Sequence, residues 1–110
     1  MTTPLTPAAI DEALTHLTEW RSADGLLLAA YTAATAADAL ALFAAIGEVA
    51  EELNHHPDVD WRYDHVYVST TSHDAGGRLT ARDLALAERI TALAETADVT
   101  ATPDEARAGA

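Results

Sequence analysis

The sequence predicts an α+β two-layer sandwich, a four-stranded antiparallel sheet with three helices packed on one face. Apolar residues recur at helical spacing in three segments; between these lie a short continuous apolar run and a segment of apolar–polar alternation, giving the order helix, hairpin, helix, hairpin, helix. Each of the two intervening segments contains a tight-turn signal, which makes its strands antiparallel neighbours. Antiparallel hairpins need one covered face, and three amphipathic helices can supply that cover.

The first helix opens at Thr6-Pro7, where the hydroxyl can accept from a free backbone N–H and proline loses nothing at the first helical position. Leu5 and Ile10 stand at staple positions, and Ile10, Leu14 and Leu17 carry the helix to about Glu19. Asp24-Gly25 then separates a short extended piece at Trp20 from the buried strand of residues 26–31. Thr35 with Asp38 opens a second helix, striped by Leu42, Ile46, Val49 and Leu53 and ended by Asn54 and Pro57. Val59, Trp61 and Tyr63, then Val66 and Val68, alternate with polar residues, giving a second hairpin turning near Asp64-His65. Gly76-Gly77 breaks that pattern, and Thr80 opens a third helix with Leu86, Ile90 and Leu93 facing the core.

A chain of 110 residues allows one domain, expected over residues 1–98, and buries about two-thirds of its unfolded surface without needing a staple. Residues 99–110 are small and polar around Pro103 and are expected as a mobile tail. Zero cysteines exclude thiol nucleophiles and Cys-ligated metals, leaving His, carboxylate, hydroxyl and backbone groups for chemistry. The 18 acidic residues against 6 Arg give a formal charge of −12, which disfavours direct nucleic acid or anionic membrane contact. With neither a secretory pattern nor a membrane-spanning apolar run, the sequence predicts a cytoplasmic protein.

His55, His56 and His73 lie near element ends, where side chains project into clefts. If the second helix persists through its last turn, Glu51 sits one turn before His55 and Glu52 one turn before His56. A carboxylate beside an imidazole fixes its tautomer and suits it to proton transfer. The same residues also make an ordinary polar helix end, where His favours the dipole and Pro stops the helix. Strict alternation puts His73 opposite Val66 and Val68, away from the helices, unless it is a plain loop residue. Asp83, three residues after Thr80, fits a capping box better than a catalytic role, and His16 and His65 read as solvated. A metal hydrolase built on His55, His56 and His73 with Asp74 or Asp83 is disfavoured, since adjacent histidines rarely both face one metal.

Glu51, His55-His56-Pro57, Tyr63, His73 and Asp83, with three, five, nine and nine residues between successive members, resemble the signature of the pterin-4a-carbinolamine dehydratases. Leu5-Thr6, Trp20, Asn54 through Val59, His73 through Gly77 and Leu79 through Asp83 extend the similarity over roughly residues 5 to 94. Residues 26–35 are poorer in aromatic and basic residues than the family pattern, and the chain after Ala97 has no counterpart in it. The resemblance implies a hydro-lyase that removes water from a 4a-hydroxytetrahydropterin, in pterin recycling, with no metal and no cofactor. It implies a catalytic set of His55, His56 and His73, in which His55 and His73 are the acid–base pair and His56 chiefly orients the pterin. Glu51, Pro57, Ser72, Asp74 and Ala75 would line the substrate site, with Glu51 and Asp83 as supporting carboxylates. The resemblance also implies a homodimer or homotetramer, and admits a noncatalytic dimerisation or assembly cofactor on the same fold.

Overall fold

The computed structural model describes residues 3–108; residues 1, 2, 109 and 110, which the expected domain and tail included, lie outside the described residues. Helix α1 (Pro7–Leu14) begins as the sequence dictates, with Thr6 Oγ1 accepting from Ala9 N–H at 3.1 Å. It stops short of Glu19. Thr15 bonds its hydroxyl back to the Glu12 carbonyl, and the next turn swings Leu17 and Trp20 into the core, where the Trp20 indole donates to Thr91 at 2.9 Å. Burying a tryptophan there outweighs another helical turn of exposed threonines.

Strands β1 (Arg21–Ala23) and β2 (Leu26–Ala33) are joined at Asp24-Gly25, both with positive φ as a tight two-residue hairpin loop requires. Helix α2 (Ala36–Leu53) is capped by Thr35 Oγ1 on Asp38 N–H and ends at Asn54, whose backbone is left-handed at φ 50°. Strands β3 (Asp58–Arg62) and β4 (His65–Thr70) pair with Arg62 opposite His65, so the turn is Tyr63-Asp64, one residue earlier than expected. Helix α3 (Ala81–Thr96) follows the cap at Thr80.

The sheet runs β1-β2-β4-β3, antiparallel throughout, with the helices on one face. Leu27, Ala29, Tyr31, Val66 and Val68 from the sheet meet Leu42, Ile46, Leu86 and Ile90 from the helices in one core. The expected two-layer sandwich is therefore the observed fold, with one addition. The segment after residue 98, expected as a mobile tail, supplies a fifth strand, β5 (Val99–Ala101), antiparallel to β2 with Tyr31 opposite Ala101. The chain then makes a 3₁₀ turn (Pro103–Glu105) and crosses the outer sheet face, where Arg107 lies 4.1 Å above the Tyr67 ring and 3.5 Å from Asp60. Backbone pairing with a distant strand, packing of Val99 and Ala101 against the core, the Glu105 contact with His65 at 3.4 Å and Arg107 hold it, none of them visible as an apolar run.

Candidate active site

The left-handed Asn54 decides where both adjacent histidines go. A continued helix would set Glu51 against His55, but the reversal sends His55 inward to near-complete burial and turns His56 outward. Glu51 accordingly pairs with His56 instead of the expected His55, and Glu52 pairs with Arg89 at 2.6 Å instead of with His56. Glu51, His56 and Pro57 line an open cavity of about 400 Å³ between α2 and β3, whose remaining wall is apolar and includes Phe43, Ala50 and Val59.

A separate, buried polar network is centred on Asp83, the third residue of α3 and fully buried. Oδ2 accepts from Thr80 N–H at 3.0 Å, closing the capping box, and from Ser72 Oγ at 2.7 Å. Oδ1 accepts from Thr70 Oγ1 at 2.7 Å and from His55 Nε2 at 2.6 Å. The capping box favoured from the sequence is therefore present, and the same carboxylate also contacts His55. Burial pushes the Asp83 carboxyl up, but the hydrogen bonds from Thr70, His55, Ser72 and Thr80 outweigh it and hold the group below its ordinary value. An ionised carboxylate only accepts, so the His55 proton sits on Nε2 and Nδ1 is the ring atom not engaged by Asp83.

Ser72 fastens the second histidine block to this network. Its hydroxyl proton goes to Asp83, so it accepts from Thr80 at 2.8 Å, and its carbonyl accepts from Ala75 and Gly77 N–H. His73 opens the 3₁₀ turn His73–Ala75 and is exposed, while Ala75 is buried. Strand β4 ends at Thr70, so strict alternation does not reach His73. Asp74 pairs with Arg82 at 3.2 Å. Tyr63, the aromatic of the signature, stands exposed in the hairpin turn.

The predicted residues thus fall into a buried group of His55, Ser72 and Asp83, an open group of Glu51, His56 and Pro57, and a turn carrying His73, Asp74 and Ala75. Thr70 and Arg82 were not singled out in advance; Thr70 is a polar residue at an inward strand position, which is the signal that marks it. Among the described residues, no cluster of three or more His, Asp or Glu is arranged to hold a metal ion. No helix among them is long and apolar enough to cross a membrane.

The family model described as Pterin 4 alpha carbinolamine dehydratase matches residues 3–93. The chain belongs to the pterin-4-alpha-carbinolamine dehydratase family. Among curated members of the pterin-4-alpha-carbinolamine dehydratase family, a candidate dehydratase from Acidobacterium capsulatum is 40% identical over 89 residues, covering 81% of this chain and 96% of its own. Another from Herpetosiphon aurantiacus is 38% identical over 86 residues, covering 78% and 88%. A crystal structure from Brucella melitensis, described as a transcriptional coactivator/pterin dehydratase, superposes with a TM-score of 0.78 at 26% identity, covering 83% of this chain and 98% of that one. The strand β5 and the crossing at Arg107 lie beyond the matched residues of the dehydratase family.

Proposed function

We propose that the protein dehydrates a 4a-hydroxytetrahydropterin to the quinonoid dihydropterin, using histidine acid–base chemistry, in pterin recycling in the cytoplasm. The observation that carries this reading is the buried His55–Asp83 pair, joined through Ser72 to the segment bearing His73. In the reaction the C4a–O bond breaks as the hydroxyl takes a proton and leaves as water, and N5 loses its proton as the C4a–N5 double bond forms. One imidazole gives the first proton and another takes the second. His55, its Nε2–H committed to Asp83, presents Nδ1 for one task, and the exposed His73 ring serves the other. His56, paired with Glu51 on the rim of the cavity, orients the pterin together with Pro57, and the backbone of residues 72–75 answers the amide-like edge of the ring.

A homodimer or homotetramer belongs to the same proposal. Strand β3 is a sheet edge, and Leu40, Phe43, Trp61 and Tyr63 are exposed large hydrophobic side chains, a surface that pairing would cover. Direct nucleic acid binding stays disfavoured by the −12 charge. The Brucella melitensis description favours a second reading, a noncatalytic partner of another protein. Turnover of a synthetic carbinolamine in the presence of a metal chelator separates the two. Wild-type acceleration that is lost in the His55→Ala, His73→Ala double variant supports the hydro-lyase. No acceleration above the spontaneous rate favours the partner.

A further inference from the structure

Arg82 occupies the second position of α3, where its own N–H bonds the cap hydroxyl of Thr80 at 3.2 Å. Its guanidinium divides: Nη2 donates to the Asn54 carbonyl at 2.7 Å and Nη1 to Asp74 Oδ2 at 3.2 Å. Asn54 immediately precedes His55, and Asp74 immediately follows His73. One planar group therefore spans the two histidine blocks at the surface, in addition to the buried span that Asp83 makes through His55 and Ser72. The two spans differ in what they fix. Asp83 holds the His55 ring and the residue before His73, whereas Arg82 holds the left-handed residue that aims His55 and the residue after His73.

The turn is tied at its C-terminal flank by Gly77 N–H on the Ser72 carbonyl, Arg78 Nε on the Ala75 carbonyl at 3.1 Å and the first hairpin against Gly77, and Arg82 adds the tie to the Asn54 end. Gly76 and Gly77, both with positive φ, follow the turn directly, and glycines leave the backbone free to adopt other conformations unless something outside the turn fixes it. The guanidinium fork is suited to this, since it presents two donors at a rigid separation, while a lysine ammonium offers a single flexible point. Resting on the dehydratase reading, we infer that Arg82 is a positioning residue that sets the spacing of His73 from His55 for the proton transfers. Acid–base chemistry is sensitive to such spacing, because a misplacement of about 1 Å can lower a rate by about 10²-fold.

The test compares the full-length wild type with Arg82→Ala and Arg82→Lys, following carbinolamine turnover and amide hydrogen exchange across residues 72–77. Arg82→Ala is expected to lower kcat by about 10- to 100-fold with KM little changed, and Arg82→Lys to fall between it and wild type. Millimolar guanidinium should restore part of the lost kcat in Arg82→Ala while leaving the wild type unaffected. Unchanged kcat, or a loss of kcat in Arg82→Ala with no guanidinium rescue, overturns the inference. If the wild type itself shows no turnover, the dehydratase reading fails, and exchange alone decides whether the clamp exists: faster exchange confined to residues 72–77 in Arg82→Ala supports it, and unaltered exchange overturns it. Should Arg82→Ala not fold, Arg82→Lys is judged by the same readouts.

Discussion

Replacing Asp83 with asparagine removes a charge while keeping the side chain's shape, which makes its consequences calculable from the four bonds it accepts. The single remaining oxygen must face Thr80 N–H and Ser72, because a backbone N–H can only donate. The new amide nitrogen then faces Thr70 and His55 Nε2. Thr70 can rotate its hydroxyl to accept, but His55 can accept there only by moving its proton to Nδ1. Two charge-assisted hydrogen bonds worth about 1.5–3 kcal/mol each are replaced by weaker ones, so Asp83→Asn is expected to lose about 2–4 kcal/mol. Asp83→Ala, which strands the donors in a buried site, should lose about 3–5 kcal/mol. Urea unfolding at neutral pH measures both, and the tautomer change should also lower the turnover of Asp83→Asn. The pH dependence has a definite sign. The folded carboxyl lies below its ordinary 3.8, so its contribution is complete above the unfolded value and is lost as pH falls through the folded one. The acid limb of the stability profile should be shallower in Asp83→Asn than in wild type. A variant within about 0.5 kcal/mol of wild type, with an unaltered acid limb and full turnover, would refute the role assigned to this network.

At Gly25, a Cβ would lie 2.4 Å from the Gly77 carbonyl oxygen, and φ is +81°. Gly25→Ala should therefore destabilise by more than about 1 kcal/mol and shift the amide resonances of residues 72–77; unchanged stability and spectra would contradict the close packing of the first hairpin on the histidine turn. Truncation after residue 98 removes β5, the Thr102 N–H to Ala30 carbonyl bond at 2.8 Å and the Arg107 contact with Tyr67. It should lower stability by about 1–3 kcal/mol in thermal or urea unfolding, whereas a free tail would leave it unaltered. Asn54→Ala, forced into a left-handed backbone, should lose about 1–2 kcal/mol, and Asn54→Gly should not; equal stability of the two would show that the reversal is not held as described. Tyr31 is held above its ordinary 10.0 first by burial and then by the charge and hydrogen bond of Glu19, so its contribution to stability is present below that value and lost at higher pH. Absorbance titration of the native protein should show a tyrosine that resists ionisation above its ordinary value, and a titration with no such resistant fraction would contradict the burial of Tyr31 against Glu19.

What could be read in advance was whatever a few neighbouring residues decide. Thr6, Thr35 and Thr80 start their helices because a hydroxyl and the N–H groups that follow it are local, and Asp24-Gly25 turns the first hairpin for the same reason. The misplacements arise where distant residues intervene. α1 ends early because Trp20 has a partner in Thr91, 71 residues away. β5 forms because β2 has a stretch of edge to pair. At the site, Glu51, both adjacent histidines and Asp83 stood out through the family signature; spacing alone fitted a plain helix end and a cap, and because it assumed an unbroken helix, the left-handed Asn54 moved the carboxylate partner of His55 from Glu51 to Asp83, 28 residues on. The spanning role of Arg82 was hidden because it consists of contacts to a backbone carbonyl and to a side chain in separate loops.

A crystal structure with a reduced dihydropterin soaked into the site tests most directly whether the two histidine blocks form one pterin site. The ring should lie with its C4a–N5 edge between His55 Nδ1 and the His73 imidazole, and with His56 and Pro57 against it. A pterin bound elsewhere on the molecule, or one contacting His56 while remaining out of reach of both His55 and His73, would contradict paired-histidine catalysis.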